Sequence, residues 1–294
     1  MTDTPIQNVS DTAFWVAHYR WVETQRVDAL FRDPLAGVLS GDQGKKIALQ
    51  MHGSFMTEWT VAIRTCIIDE YIRTAISEGI DAVLNLGAGL DTRPYRMDLP
   101  KSFLWVEADY APMIEFKKSR LARETPRCQL ERVTVDLANA AEQHRLLASV
   151  AGRSKKLLVL TEGVIPYLGV EEVGSLADEL KAEPPVCYWI LEYLSPQVLK
   201  FREKSGVGRM IRNAPFKFKP NDWFGFFGEH GWKVRQMRYF AEEGERLKRP
   251  PRLPWRLKVL IGVRKLFASR KTWEAFRKAA GYALLEPANA GSGN

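Results

Sequence analysis

A chain of 294 residues, 46% hydrophobic and 27% charged, can bury a sizeable core in one large domain or two small ones. Cys66, Cys128 and Cys187 form no CxxC and no Cys/His cluster, which argues against a metal site and a disulfide framework. The opening "MTDTPIQNVSD" has no basic or apolar leader and no apolar run reaches about 18 residues, so a soluble, cytoplasmic protein is expected. The net charge of +8 is uneven: residues 197–294 carry 22 Lys+Arg against 8 Asp+Glu, and residues 1–196 carry 21 against 27, an asymmetry that suits an anionic ligand or surface.

Residues 11–78 read as helices. The clearest is "EWTVAIRTCIIDEYIRTAI", where Trp59, Ile63, Cys66, Ile67 and Tyr71 recur at three- and four-residue spacing. From residue 81 short aliphatic runs alternate with helical stretches. The runs are 82–86, 103–108, 130–136, 156–162 and 186–193. Strands separated by helices predict an α/β fold, a doubly wound, mostly parallel sheet. Runs 232–240 and 281–287 add two strands, expected to pair as an antiparallel hairpin at the sheet edge, which makes seven. Between them, Arg246 to Trp273 holds ten basic residues and no acidic one. Pro250, Pro251 and Pro254 break the chain before it, and Trp255, Val259, Leu260, Val263, Leu266 and Phe267 then form a rough apolar stripe. The chain reads as one domain: a helical cap over 1–79, a sheet core over 80–245, a basic helical insert over 246–280, and a last strand and tail over 281–294.

Ligands of doubly wound sheets bind outside the carboxyl ends of the strands. Four sets of residues fall there. Gly87 and Gly89 follow the first strand and let the backbone turn sharply against a ligand. Glu107 and Asp109 close the second, at the offset where a carboxylate accepts from ribose hydroxyls. Asp136 and Leu137 end the third, and Glu162 ends the fourth. Together they indicate an adenosine-containing ligand, with NAD and S-adenosylmethionine as rivals. A dinucleotide turn wants a third glycine where this chain has Thr92. The acidic rim of Asp91, Glu107, Asp109, Asp136 and Glu162 suits the sulfonium and ammonium of S-adenosylmethionine better than two phosphates.

The motifs "NLGAGLDTRPYR", "VEAD" with Lys117 after it, "VDL" and "TEGVIPYL", with "RWVETQRVDALFRDPLA" upstream, resemble the leucine carboxyl methyltransferase family, which includes polyketide O-methyltransferases of the tetracenomycin type. The likeness covers residues 11–193 and fades beyond 200. It implies a Rossmann-like class I methyltransferase sheet under a helical cap. It also implies roles. Gly87 and Gly89 would line the methionine and ribose, Asp109 with Glu107 beside it the ribose hydroxyls, Asp136 and Leu137 the adenine, Glu162 the cationic end, and Arg64 the methionine carboxylate. Arg20 and Tyr167 are the candidates for the acceptor site.

Methyl transfer to a carboxylate needs no general base, whereas transfer to a phenol, with a pKa near about 10, does. His18, His52, His144 and His230 fall in no motif, and no catalytic residue is assigned. The expected activity is O-methylation of a carboxylate or phenolic hydroxyl on a small acidic metabolite such as a polyketide. The alternatives are a nicotinamide-dependent oxidoreductase, and a protein whose basic segment docks on membrane or RNA beside a vestigial cofactor site. The basic segment is expected to be a lid that admits the acidic acceptor, ahead of a peripheral membrane helix over 255–271 and an RNA-binding arm.

Overall fold

The computed structural model describes residues 6–288 apart from 52–54, 138, 206, 207, 209, 211 and 257–268. Helices α1 (Val9–Thr24), α2 (Pro34–Gln50) and α3 (Phe55–Ser77) come first. Asn8 and Asp11 form a capping box at the start of α1, and Asp33 caps α2 ahead of Pro34 at its first turn. Helix α3 is buried on more than one face because it lies between two cores. Ile63, Ile67, Ile68 and Ile72 pack with the sheet, and Val61 packs with α1 and α2.

The seven strands are β1 (Ala82–Leu86), β2 (Leu104–Asp109), β3 (Gln129–Thr134), β4 (Leu157–Thr161), β5 (Val186–Leu194), β6 (Trp232–Tyr239) and β7 (Ala280–Pro287). They form one sheet in the order β3-β2-β1-β4-β5-β7-β6. The first five are parallel, and β7 runs antiparallel to both β5 and β6. The doubly wound sheet and its antiparallel pair are therefore as expected, with β6 outermost. Strands β1 and β4 are buried at every residue, which is why they read as unbroken aliphatic runs. Between the strands run α4 (Arg93–Arg96), α5 (Ala111–Arg120), α6 (Ala140–Ala151), α7 (Val170–Ala182) and α8 (Pro196–Lys204). Beyond β5, Trp189 packs edge-on against Trp232 and Phe227 at 5.5 and 5.4 Å. Beside a bulge in β6 between Val234 and Gln236, the Tyr71 hydroxyl is shared between the Gln236 and Tyr282 carbonyls and so ties α3 to β6 and β7.

The basic segment is only partly within the described residues. Val259, Leu260, Val263, Leu266 and Phe267, the bulk of the expected stripe, lie outside them, as does His52. Trp255 is 70% exposed and does not pack back on the domain. The first basic residues face the cap, where Lys248, Arg249 and Arg252 line a cavity of about 280 Å³ against Glu23, Glu58 and Trp59. Arg246 pairs with Glu70 and Glu243, and buried Arg249 pairs with Glu23 and donates to the Asp28 carbonyl. The Trp59 indole donates to the Arg249 carbonyl at 2.7 Å, which completes the anchor. No described helix is long and apolar enough to cross a membrane.

Candidate active site

Strand order reverses between β1 and β4, so the crevice at their carboxyl ends is the topological switch point where open α/β sheets bind ligands. Gly87 leaves β1 with φ +63° and Gly89 follows with φ +45°, both in the left-handed region. A Cβ on Gly87 would lie 2.5 Å from Val164 Cγ2, so the turn after β1 and the turn after β4 touch only because Gly87 has no side chain. The same turn receives Asp109 from the end of β2. One carboxylate oxygen accepts from Gly89 N at 2.6 Å and the other from Tyr110 N at 2.7 Å. Burial pushes the Asp109 carboxyl up, against the pull of those two N–H groups. It has no cation within salt-bridge distance among the described residues, and its remaining lone pairs are open to hydroxyl donors.

Thr92 answers the missing glycine. It is fully buried and donates to Asp33 Oδ1 at 2.6 Å, which fastens the turn to the N-cap of α2. Arg20 belongs to the same fastening: its Nε donates to Asp33 at 2.9 Å and its Nη2 to the Leu90 carbonyl at 2.5 Å. With these two nitrogens committed and the residue buried, Arg20 supports the turn from behind; the structure gives it no position in an acceptor pocket.

Arg93 is the hub behind the crevice. Its guanidinium reaches Asp69 at 2.7 Å, Asp91 at 3.0 Å and Glu162 at 2.7 Å, and Arg96 adds two bonds to Asp69. Burial opposes the charge on each carboxylate but is outweighed. Arg93, Lys117 and Arg20 hold Asp91 below the usual range, Arg93 and Arg64 hold Glu162 there, and Arg96 and Arg93 hold Asp69. Glu107 is buried with one oxygen on Lys117 at 2.7 Å and the other on Arg132 at 2.9 Å. The expected acidic rim is thus partly neutralised from within: Asp91 and Glu107 have protein counterions, and the electrostatic case for a cationic ligand narrows to Asp109, Asp136 and the oxygen of Glu162 that Arg93 leaves free.

Strand β3 ends at Thr134, two residues before Asp136, so Asp136 and Leu137 lie in the turn beyond the strand. Asp136 is exposed, its N–H capped by Glu142 and its carboxylate met by the Tyr110 hydroxyl. Leu137 packs on the core below it.

Arg64 reaches across from α3 and puts Nε 2.9 Å from Glu162 Oε1. Both atoms are buried and neither forms a hydrogen bond, because the N–H is not aimed at the oxygen. A cation and an anion lie side by side there, each with an unused valence. That donor set is complementary to a free amino-acid group, whose carboxylate would take the arginine and whose ammonium would take the glutamate. Together with the glycine turn and the open lone pairs of Asp109, it fits S-adenosylmethionine.

Tyr167 lies in a 3₁₀ turn (Ile165–Tyr167) after β4, its ring edge-on to Phe216 at 5.2 Å and the Thr12 hydroxyl within hydrogen-bonding reach. Two residues that the sequence reading passed over share this corner. Arg202, on α8, stacks 4.1 Å over Phe216, its Nε is buried without a partner, and no carboxylate of a described residue lies within 4.0 Å of its guanidinium. Glu192, on β5, is buried near Arg64 and Glu162 with neither oxygen hydrogen-bonded.

Residues 13–181 match the leucine carboxyl methyltransferase family. A relative from Streptomyces avermitilis, provisionally named an S-adenosyl-L-methionine-dependent methyltransferase, is 32% identical over 236 residues, 76% of this chain and 82% of its own length. Another so named, from Frankia alni, is 29% identical over 274 residues, 86% of this chain and 94% of its own. Among solved structures, a provisionally assigned methyltransferase from Thermobifida fusca superposes with a TM-score of 0.53 at 15% identity, covering 86% of this chain and 92% of its own. A DUF574 family protein from Streptomyces avermitilis superposes with 0.51 at 14%, covering 82% and 90%. At such identities these two show the shared fold. The sequence matches carry the assignment: the chain belongs to the leucine carboxyl methyltransferase family and is an S-adenosylmethionine-dependent methyltransferase.

Proposed function

We propose that the enzyme methylates an oxygen atom of a small acidic metabolite, of the polyketide kind, at the corner bounded by Tyr167, Phe216 and Arg202. The observation that carries this reading is Arg202. A buried guanidinium nitrogen without a partner, on an arginine with no carboxylate beside it, is costly unless a ligand supplies the anion. Burial lowers the basicity of Arg202, and the neighbouring Tyr167 opposes that shift, which keeps the cation available. Phe216 beneath it offers an aromatic face for a flat acceptor.

In this reading Arg64 and Glu162 hold the amino-acid end of S-adenosylmethionine, Asp109 the ribose hydroxyls, and Asp136 with Leu137 the adenine. Gly87 and Gly89 let the cofactor lie close to the backbone. Glu107 holds Lys117 and Arg132 in place beneath the ribose side. The cofactor supplies an activated methyl group on a sulfonium. The protein's task is to align the acceptor oxygen and exclude water from it. Tyr167, raised above the usual tyrosine range by burial, stays a neutral phenol and can donate to the acceptor. Replacing Arg202 by Met should raise the KM for an acidic acceptor at least tenfold and leave cofactor affinity unchanged; unchanged KM would remove Arg202 from the acceptor site.

A further inference from the structure

Strand β5 carries one acid in an otherwise apolar and aromatic run, "VCYWILEYL". Thr161 of β4 is in register with Leu191 of β5, so Glu162 and Glu192, each one residue further on, leave that pair side by side at the mouth of the crevice. Glu162 has one oxygen hydrogen-bonded by Arg93 and the other beside the Arg64 guanidinium. Glu192 is 8% exposed, and neither of its oxygens meets a hydrogen-bond partner. A carboxyl that is buried and unpartnered lowers stability, and a leucine there would not carry that penalty. The residue also borders a small cavity with Ile165, Pro166, Leu199, Phe218 and Trp223.

We propose that Glu192 is the general base of the acceptor site, and that the acceptor oxygen is therefore a hydroxyl, phenolic in class, and not a carboxylate. The inference rests on the reading of the chain as an O-methyltransferase. A hydroxyl must lose its proton as it is methylated. In that step the O–H proton passes to a Glu192 carboxylate oxygen, the oxygen–methyl bond forms, and the electron pair of the carbon–sulfur bond stays on sulfur; the glutamic acid then returns its proton to solvent. A carboxylate acceptor would need no such group and would bring a like charge beside it.

The groups facing Glu192 are Arg64 from α3, Glu162 after β4, Tyr282 opposite it on β7, and Tyr167 after the same β4 turn. Burial is the chief influence and pushes the Glu192 carboxyl up to about 8. The backbone N–H groups of Glu192 and Gly163 and the Arg64 charge pull the other way, without hydrogen-bond geometry from either N–H, and Glu162 adds to the rise. A base near about 8 is far better matched to a phenol near about 10 than an ordinary glutamate near about 4.3.

Two measurements on the full chain, loaded with S-adenosylhomocysteine or S-adenosylmethionine, test this. The first is thermal stability against pH. Glu192→Gln should gain stability on the native protein progressively as the pH rises from about 4.3 to about 8, because over that range the unfolded chain gives up the Glu192 proton that the folded chain keeps. A constant difference across that range would overturn the proposal. The second is transfer of labelled methyl from S-adenosylmethionine to a panel of phenols, hydroxy acids and simple carboxylic acids. The expected product is a base-stable methyl ether, formed at a rate that climbs with pH through about 8. Glu192→Gln should lower that rate at least 100-fold, Glu192→Asp should restore part of it, and cofactor affinity should hold within about twofold. Methyl esters alone, no hydroxyl methylated at any pH, or equal rates in the glutamine variant would overturn the proposal and leave the methyltransferase reading intact. Failure of the native chain to bind S-adenosylmethionine would sink that reading instead.

Discussion

Arg64 Nε and Glu162 Oε1 lie 2.9 Å apart in a buried crevice, yet the pair is not a hydrogen bond. Arg93 binds the other oxygen of Glu162 at 2.7 Å with full geometry. The glutamate is therefore fixed from behind and presented to the crevice, while the arginine of α3 is held near it by charge alone. That arrangement links the helical cap to the sheet near the point where the turns after β1 and β4 meet.

Arg64→Lys follows from this geometry. A lysine keeps the charge but loses the planar fork that can grip a carboxylate with two parallel bonds. Cofactor affinity should fall about tenfold or more, with little change in melting temperature because no native hydrogen bond of Nε is lost. Calorimetry alongside a melting curve separates the two effects, and an unchanged affinity would place Arg64 outside the cofactor site.

Arg93→Lys should be a stability mutant. The hub is buried and serves Asp69, Asp91 and Glu162 together, so breaking it strands buried carboxylates at a cost of about 3–5 kcal/mol. All three carboxyls sit below their usual range in the folded protein. Their contribution is therefore complete above the unfolded carboxyl range near about 4 and is lost as the pH falls through and below it. Urea unfolding of the native chain should weaken sharply below about pH 4, and the variant should show a shallower dependence over the same range.

Gly87→Ala combines two penalties, a side chain at φ +63° and a Cβ 2.5 Å from Val164 Cγ2. It should destabilise the fold by at least about 1–3 kcal/mol. Pairing it with Val164→Ala should relieve the clash and leave the backbone strain. Full recovery of the melting temperature in the double variant would show that the backbone conformation at Gly87 carries no cost.

The sheet was legible because each strand is a short aliphatic run bounded by turns, and because the antiparallel pair lay after the last helix–strand alternation. The crevice was legible through residues that end strands: Gly87, Asp109 and Glu162 each mark a carboxyl end. What could not be read was which acids are already paired. Glu107 and Asp91 look like rim residues in sequence, but Lys117, Arg132 and Arg93 reach them only through the fold. The partners of Arg20 were hidden for the same reason, since Asp33 and the Leu90 carbonyl meet it only through the packing of α1 on α2 and the glycine turn. Glu192 had a signal of its own, a single acid inside an otherwise apolar and aromatic strand. Arg202 had none, because its isolation depends on where α8 falls.

The central claim is that S-adenosylmethionine binds at the switch point between β1 and β4, with Asp109 taking its ribose. Titration calorimetry of the native chain and of Asp109→Ala with S-adenosylhomocysteine tests it most directly. The account predicts one site per native chain, no heat with NAD, and an affinity weakened by about 1–3 kcal/mol in the variant, which loses the acceptor for the ribose hydroxyls and for Gly89 N. Binding of NAD in place of the adenosyl compound, or an affinity for S-adenosylhomocysteine that Asp109→Ala leaves unchanged, would contradict it.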